Sequence, residues 1–142
     1  MNISARPPLS ATVAMLQSAR LPTEDLTAEH CERFFFSGPA AAPTGIVGLE
    51  VYGDVALLRS LVVAPARRGS GEGSALLRHA EQQARASGVR TLYLLTTTAE
   101  KFLAKHGYDH APRDAAPAAI RGTREFAGIC PASSAFMKRE LV

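Results

Sequence analysis

The stretch Leu57-Leu58-Arg59-Ser60-Leu61-Val62-Val63, continued by Arg67-Arg68-Gly69-Ser70-Gly71-Glu72-Gly73 and Ser74-Ala75-Leu76-Leu77, reads as strand, glycine-rich turn and helix. The first segment is a run of aliphatic and β-branched residues of strand length. Pro65 ends it, because proline cannot donate to a sheet ladder. The three glycines between 69 and 73 let the backbone turn sharply and bring its N–H groups close to a ligand. From Ser74 the pattern is helical: Leu76, Leu77, Ala80 and Ala84 share a face, with Arg78, Glu81, Gln82 and Arg85 elsewhere. Gly88 stands where a helix is expected to end. A glycine-rich loop feeding a helix N-terminus suits an anion, since free N–H groups and the helix dipole both favour a phosphate.

Two familiar phosphate loops do not fit. A P-loop ends in Gly-Lys-Ser/Thr, and this stretch has no lysine. A dinucleotide fingerprint needs its glycines at another spacing, with an acid about 20 residues on. Arg68 to Gly73 does match Gln/Arg-x-x-Gly-x-Gly/Ala. In that match, and in its place between a strand and an amphipathic helix, the chain resembles the GCN5-related N-acetyltransferase (GNAT) family, whose members hold acetyl-CoA there. The alternative is a tight turn whose glycines serve geometry only.

The composition bounds the answer. A chain of 142 residues, 46% apolar, fits one domain over 1–142 with a real core. No apolar run is long enough to span a bilayer, and Pro7-Pro8 interrupts any secretory pattern. The net charge of +3 is spread without a basic tract, which excludes neither enzyme nor binding module but gives no nucleic-acid signature. A mildly basic balance suits an anionic cofactor such as coenzyme A. Two distant cysteines, Cys31 and Cys130, are too few for a disulfide scaffold or a zinc site, so no metal and a reducing cytoplasm are expected.

Outward from the loop, Ile3 to Ala5 reads as a short edge strand and Leu9 to Ala19 as a helix capped by Ser10 or Thr12. Leu21 to Leu26 reads as a loop with a helical turn. Phe34, Phe35 and Phe36 fit a strand buried on both faces better than an aromatic platform. Thr44 to Tyr52 and Val55 to Val63 form a hairpin about Gly53-Asp54. Thr91 to Thr96 is a buried strand reached through the helix, which implies parallel pairing. Thr97-x-x-Glu100 predicts a capping box for a short helix closed by Gly107. Tyr108 begins a strand, Asp114 to Phe126 reads as loop plus helix, and Ser134 to Leu141 as a last strand. The expected fold is α/β (α+β): a mixed, mostly antiparallel sheet of six or seven strands with helices on both faces.

The resemblance extends over about Gly45 to Val142. Phe102-x-x-x-x-Gly107-Tyr108 is similar to a later GNAT motif. Leu94-Leu95-Thr96-Thr97-Thr98-Ala99-x-x-Phe102 and the ending Ser134-x-Phe136-Met137-Lys138-x-Glu140-Leu141 resemble the acetyltransferase domain of N-acetylglutamate synthases. With Ala119-Ile120-Arg121-x-Thr123-Arg124-Glu125-Phe126 and Cys130-Pro131-Ala132-Ser133, the chain is most similar to small GNAT proteins associated with arsenic-resistance clusters. The resemblance implies an acetyl-CoA-dependent N-acetyltransferase acting on the amine of a small amino-acid-like molecule. Its rivals are a peptide or protein N-acetyltransferase and a non-catalytic acyl-CoA-binding or metalloid-sensing module. As partners it implies a small-molecule acceptor and admits a homodimer, with no nucleic acid and no membrane.

The same resemblance places the site. Val62 and Val63 match the positions whose backbone N–H would hold the thioester carbonyl, with Leu61 also in the cofactor site. Arg68, Gly69, Ser70, Gly71, Glu72, Gly73 and Ser74 would hold the pyrophosphate. A neutral amine then attacks directly, so a base and an acid are needed. Glu50 is the candidate base, the alternative being a plain strand carboxylate beside Tyr52. Leu103 stands where many members carry a tyrosine acid, leaving Tyr108, Tyr93, water or solvent to protonate the thiolate. Arg59 is a charge inside an apolar strand; it either faces the cleft to hold an anion or pairs with Glu50 or Glu125. Arg121 and Arg124, at helical spacing, are candidates to read an acceptor carboxylate, with Ser60, Thr96 and Thr97 adding hydroxyls. The other reading of the arginines is a solvated face. His106 suits a helix end, His79 a solvated position, and Cys130 has no base close in sequence.

Overall fold

The structure is a computed structural model that describes residues 2–141. Its elements, in order, are β1 (Ile3–Ala5), α1 (Leu9–Ser18), α2 (Ala28–Cys31), β2 (Phe34–Ser37), β3 (Gly45–Tyr52) and β4 (Val55–Val63). A 3-10 turn at Pro65–Arg67 leads to α3 (Glu72–Ala86), β5 (Thr91–Thr96), α4 (Glu100–Lys105) and β6 (Asp109–His110). A second 3-10 turn (Arg113–Ala115), α5 (Ala118–Arg121), a π-type turn (Glu125–Ile129) and β7 (Ala135–Glu140) complete it.

The strands form one seven-stranded sheet in the order β1-β2-β3-β4-β5-β7-β6. Five of the pairings are antiparallel, and β4–β5, joined through α3, is parallel. This is the mixed, mostly antiparallel sheet expected from the sequence. The three phenylalanines show how its faces divide. Phe35 joins the core under α3 with Leu76, Leu77 and Ala80, while Phe34 and Phe36 join Leu16 of α1 on the other face. Strand alternation alone separates them. Gly48 makes room for this: a Cβ there would lie 2.3 Å from the Phe34 ring. A third cluster seats Ile120 of α5 and Ala116 on Leu57 and Phe136. Leu76 and Leu77 are fully buried, and each such leucine contributes about 2 kcal/mol relative to exposure.

Several local expectations change. α3 begins at Glu72, two residues before Ser74, because Gly71 adopts φ +86° and directs the chain into the helix at once. Neither Ser10 nor Thr12 caps α1; Pro8 holds the cap position and the Thr12 hydroxyl donates back to its carbonyl. The Thr97–Glu100 box does not form either. The Thr96 Oγ1 takes the Ala99 amide at 3.0 Å instead. Of the loop plus helix expected over 114–126, the α-helical part is Ala118–Arg121, between Pro117 and Gly122. Glu81, expected away from the core, is buried with Tyr108 and Arg139. His79 is half-buried edge-on against Phe35, and that burial lowers its pKa.

Candidate active site

β4 and β5 pair only at Val55–Thr91, Ala56–Leu92 and Leu57–Tyr93, although they run on to Val63 and Thr96. Beyond Leu57, β4 has no β5 partner, and a wedge opens between the strands. On the other side of β4, the pairing with β3 shifts between Ile46–Val62 and Gly48–Arg59. One extra residue therefore bulges from β4, and Ser60 takes φ +60° to accommodate it. Such a conformation costs a non-glycine residue about 1–3 kcal/mol, and bulges re-aim side chains beside sites. Here the bulge turns Arg59 inward and brings Ser60 and Leu61 to the wedge.

The wedge leads into a cleft of about 480 Å³. Its apolar lining includes Leu58, Leu61, Leu94, Leu95 and Leu103. The segment after α1 (Leu21, Pro22) and the turn before β7 (Ile129, Cys130, Pro131) line it as well. Ser60, Thr96 and Thr97 add hydroxyls to the lining, and Arg59 and Glu125 add charge. A second cavity of about 490 Å³ lies between α1, Pro43 and the end of β4, and reaches Val62, Val63 and Arg68.

At the far end of β4 stands the glycine loop. Gly69 (φ +82°) and Gly71 (φ +86°) both need the left-handed region, and a Cβ on either would meet nothing within 4 Å. Their freedom serves the turn, and the space before them is open. The first helical bond is Ala75 N–H to Gly71 O, so the amides of Glu72, Gly73 and Ser74 precede the ladder. An anionic phosphate group fits this cradle of free donors at a helix N-terminus. Not every side chain of the loop faces it. Glu72 is buried and accepts from Arg67 at 3.0 Å, which braces the loop from beneath. The Ser74 hydroxyl is taken by His106 Nε2 at 3.0 Å, while His106 Nδ1 donates to Phe102 O. The histidine thus ties α4 to the start of α3, a larger role than helix-end charge.

The charged heart of the cleft is Arg59, whose side chain is fully buried. Its guanidinium meets Asp25 twice (Nη1–Oδ2 2.5 Å, Nη2–Oδ1 3.0 Å) and Glu50 Oε2 at 2.7 Å. It also donates to Ser60 Oγ and lies 3.0 Å from Glu125 Oε2. The pairing alternative holds: the donors that an acceptor anion would need are already engaged. Burial acts to raise the Asp25 pKa, but the bonds and charge of Arg59 outweigh it and hold it below the usual value. Glu125 goes the other way. Burial, with the charges of Asp25 and Glu50, outweighs Arg59 and the Cys130 thiol and pushes it up to about 7. Cys130 is itself pushed up to about 12 by burial and then by Glu125. An unreactive thiol is therefore placed against a titratable carboxyl, through the turn bond Cys130 N–H to Glu125 O.

The remaining candidates fall outside the cleft. Glu50 does not line it; one oxygen is on Arg59 and the other accepts from the Tyr52 hydroxyl at 2.5 Å. Tyr108 is buried at 2% exposure and donates to Glu81, so its phenol is spent inside the α3 core. Arg121 caps the carbonyls of Ala116 and Asp114 and does not reach the site. Arg124 is exposed and reaches only Glu24 O at 3.4 Å. The two do not form one helical face, because α5 ends at Arg121. Glu125 and Asp25 belong to the site without a local sequence signal that marks them for it. Glu125 sits inside the quoted 119–126 motif, but nothing short of the fold announces that Asp25 crosses to β4. Among the described residues, Asp25, His30 and Glu50 also bring ligand atoms within 4.8 Å of one another, where Arg59 already supplies the positive charge. No helix of the described chain is long and apolar enough to cross a membrane.

Residues 32–110 match the family model of the acetyltransferase (GNAT) domain. Over 57 residues the chain is 46% identical to an amino-acid acetyltransferase of Ralstonia nicotianae, a match covering 40% of this chain and 13% of that protein. The fold superposes on N-acetylglutamate synthase from Neisseria gonorrhoeae, complexed with coenzyme A and N-acetyl-glutamate, with a TM-score of 0.82 at 22% identity. That alignment covers 99% of this chain and 35% of the synthase chain. It also superposes on Rv2747 from Mycobacterium tuberculosis, solved with CoA, with a TM-score of 0.79 at 20% identity and full coverage of both chains. The chain thus spans about an eighth of the curated relative and about a third of the synthase.

Proposed function

The chain belongs to the GNAT acetyltransferase domain family, and on that footing we propose that it transfers an acetyl group from acetyl-CoA to the amine of a small amino-acid-like molecule. The observation that carries this reading is the continuity of two features along one strand. The bulged edge of β4 opens into the cleft, and the same strand runs on to the free amides of Glu72, Gly73 and Ser74. A long anionic thioester needs both: donors for its pyrophosphate at one end and a water-poor wedge for its acyl group at the other. In this reading the Leu61–Val63 backbone receives the pantetheine arm and the thioester oxygen, and the amides of the Gly69–Ser74 loop hold the phosphates. Arg68 adds charge at the loop's exposed side. The acceptor enters from the mouth between Leu21–Pro22 and Ile129–Pro131, with Ser60, Thr96 and Thr97 as hydrogen-bonding groups. Bringing amine and thioester together supplies much of the rate, because two held reactants behave as one molecule.

The curated relative and the synthase both act on amino acids by name, which supports an amino-acid-like acceptor. An analogue bearing arsenic or phosphorus belongs to the same class, supported here by the 119–126 and 130–133 motifs alone. We take 1–142 as one acetyltransferase unit, and a homodimer and a cytoplasmic setting complete the proposal. The deciding experiment is thiol release from acetyl-CoA against a panel of free amino acids, their phosphorus and arsenic analogues, and peptides. Turnover on one small amine is expected. Cofactor binding without turnover on any amine overturns the enzyme reading in favour of an acyl-CoA-binding module.

A further inference from the structure

The titratable side chains lining the cleft are Arg20, Glu24, Arg59, Glu125 and Cys130. An acceptor amine arrives as an ammonium ion, and the cleft must relieve it of a proton before nitrogen can attack. Neither arginine accepts protons. Cys130 keeps its own proton at neutral pH. Glu24 is exposed at the rim, where water competes with an acceptor for its carboxylate. Only Glu125 is buried, faces the cleft and has an oxygen not already on Arg59.

We propose that Glu125, not Glu50, is the group that takes the ammonium proton of the acceptor, held for that step by Arg59 and by the turn that closes at Cys130. The proposal rests on the acetyltransferase reading above. Three observations on different elements converge on it. The bulge at Ser60 turns Arg59 inward, and the guanidinium fixes one Glu125 oxygen at 3.0 Å. The π-type turn fixes its backbone, closing on itself through Cys130 N–H to Glu125 O, and leaves the second carboxyl oxygen clear of Arg59. One guanidinium is surrounded by three carboxylates, Asp25, Glu50 and Glu125, so the cluster carries surplus negative charge toward the cleft. That surplus attracts the ammonium group of the acceptor. Asp25 and Glu50 face Glu125 across Arg59 and help keep its proton affinity high. A base near neutrality is both deprotonated in part and strong enough to act.

The step balances. One N–H proton of the ammonium passes to the Glu125 carboxylate, leaving a neutral amine and a carboxylic acid. The nitrogen lone pair forms the C–N bond, the thioester C–S bond breaks, and a second N–H proton leaves on sulfur as the thiol. Glu125 then returns its proton to solvent.

The test is a pH–rate profile with acetyl-CoA and L-glutamate, or whichever panel amine turns over, for wild type, Glu125→Gln, Glu125→Asp and Glu50→Gln. Wild type is expected to lose kcat/KM below a break near pH 7. Glu125→Gln loses the break and at pH 7 about 10²-fold or more of kcat/KM, and its rate follows the free-amine fraction, tenfold per pH unit. Its acetyl-CoA Kd is unchanged. Glu125→Asp restores the break at reduced kcat, and Glu50→Gln retains a break, moved to lower pH by the loss of a neighbouring negative charge. A break and rate that survive Glu125→Gln, with wild type active, overturn this proposal and leave the acetyltransferase reading standing. No thiol release by wild type overturns both. Should Glu125→Gln fail to fold, carbon-13 titration of the Glu125 carboxyl in wild type decides: a midpoint near 7 that moves on adding the amine is expected, and an ordinary carboxylate midpoint overturns the proposal.

Discussion

Asp25 and Arg59, 34 residues apart, meet at two points, Nη1–Oδ2 at 2.5 Å and Nη2–Oδ1 at 3.0 Å. This pair locks the segment after α1 onto the bulged strand β4 and closes one wall of the cleft. Removing Arg59 leaves the buried Asp25 and Glu125 and the half-buried Glu50 without their cation, which typically costs about 3–5 kcal/mol. Arg59→Ala is therefore expected to lower the urea midpoint strongly before any kinetic effect is read. Retained stability with only a raised acceptor KM would instead assign Arg59 to an acceptor anion.

Gly71 separates loop geometry from ligand charge. Its φ of +86° penalises any side chain, while the space around it is open. Gly71→Ala carries the backbone penalty, about 1–2 kcal/mol, without a charge. Gly71→Asp adds a carboxylate beside the free amides of α3. Calorimetry is expected to show acetyl-CoA binding weakened modestly in the alanine variant and by about 10²-fold or more in the aspartate variant. Equal losses would mean that the loop conformation alone matters.

The loop was legible because its signal is local: proline, three glycines and an amphipathic helix leave few arrangements for Val63 to Ala86. The alternation of Phe34, Phe35 and Phe36 onto opposite faces was legible for the same reason. What failed were side chains whose roles depend on distant partners. Arg59 admits two readings from sequence, an anion in the cleft or a pair with Glu50 or Glu125; both pairs form, and Asp25 adds a third from a loop that sequence could not place. Tyr108 follows a helix-closing glycine beside the expected site, yet its phenol turns to Glu81 on α3, which looked solvent-facing by period. Glu125 stood in a quoted motif, but its meaning depends on the π-type turn and on the crowding of carboxylates about one guanidinium.

Tyr108→Phe tests whether that phenol has any part in catalysis. Burial and then the Glu81 charge raise its pKa above the ordinary phenol value, so it holds its proton inside the core. Glu81 keeps Arg139 at 2.8 Å when the hydroxyl is gone, so no charge is orphaned. The expected result is a stability loss of about 1 kcal/mol in urea, with kcat and its pH dependence unchanged. A large fall in kcat at wild-type stability would return Tyr108 to the role of general acid.

Glu125 also governs how stability varies with pH. Its pKa rises from 4.5 to about 7 on folding, chiefly through burial. Between those values the folded state binds more protons than the unfolded chain, so stability falls as pH rises through the window. The stabilising contribution is present below about pH 4.5 and lost by about pH 8. Asp25, with its pKa lowered, acts in the opposite sense but only below its ordinary value of 3.8, so the two windows do not overlap. Glu125→Gln removes the titrating group while keeping its shape. Its Tm relative to wild type is expected to be higher at pH 8 than at pH 5 by several degrees, on the scale of about 4 °C per kcal/mol for a domain near this size. A difference that is equal at both pH values, or larger at pH 5, would mean that the buried carboxyl is ionised throughout and that Arg59 fully compensates it.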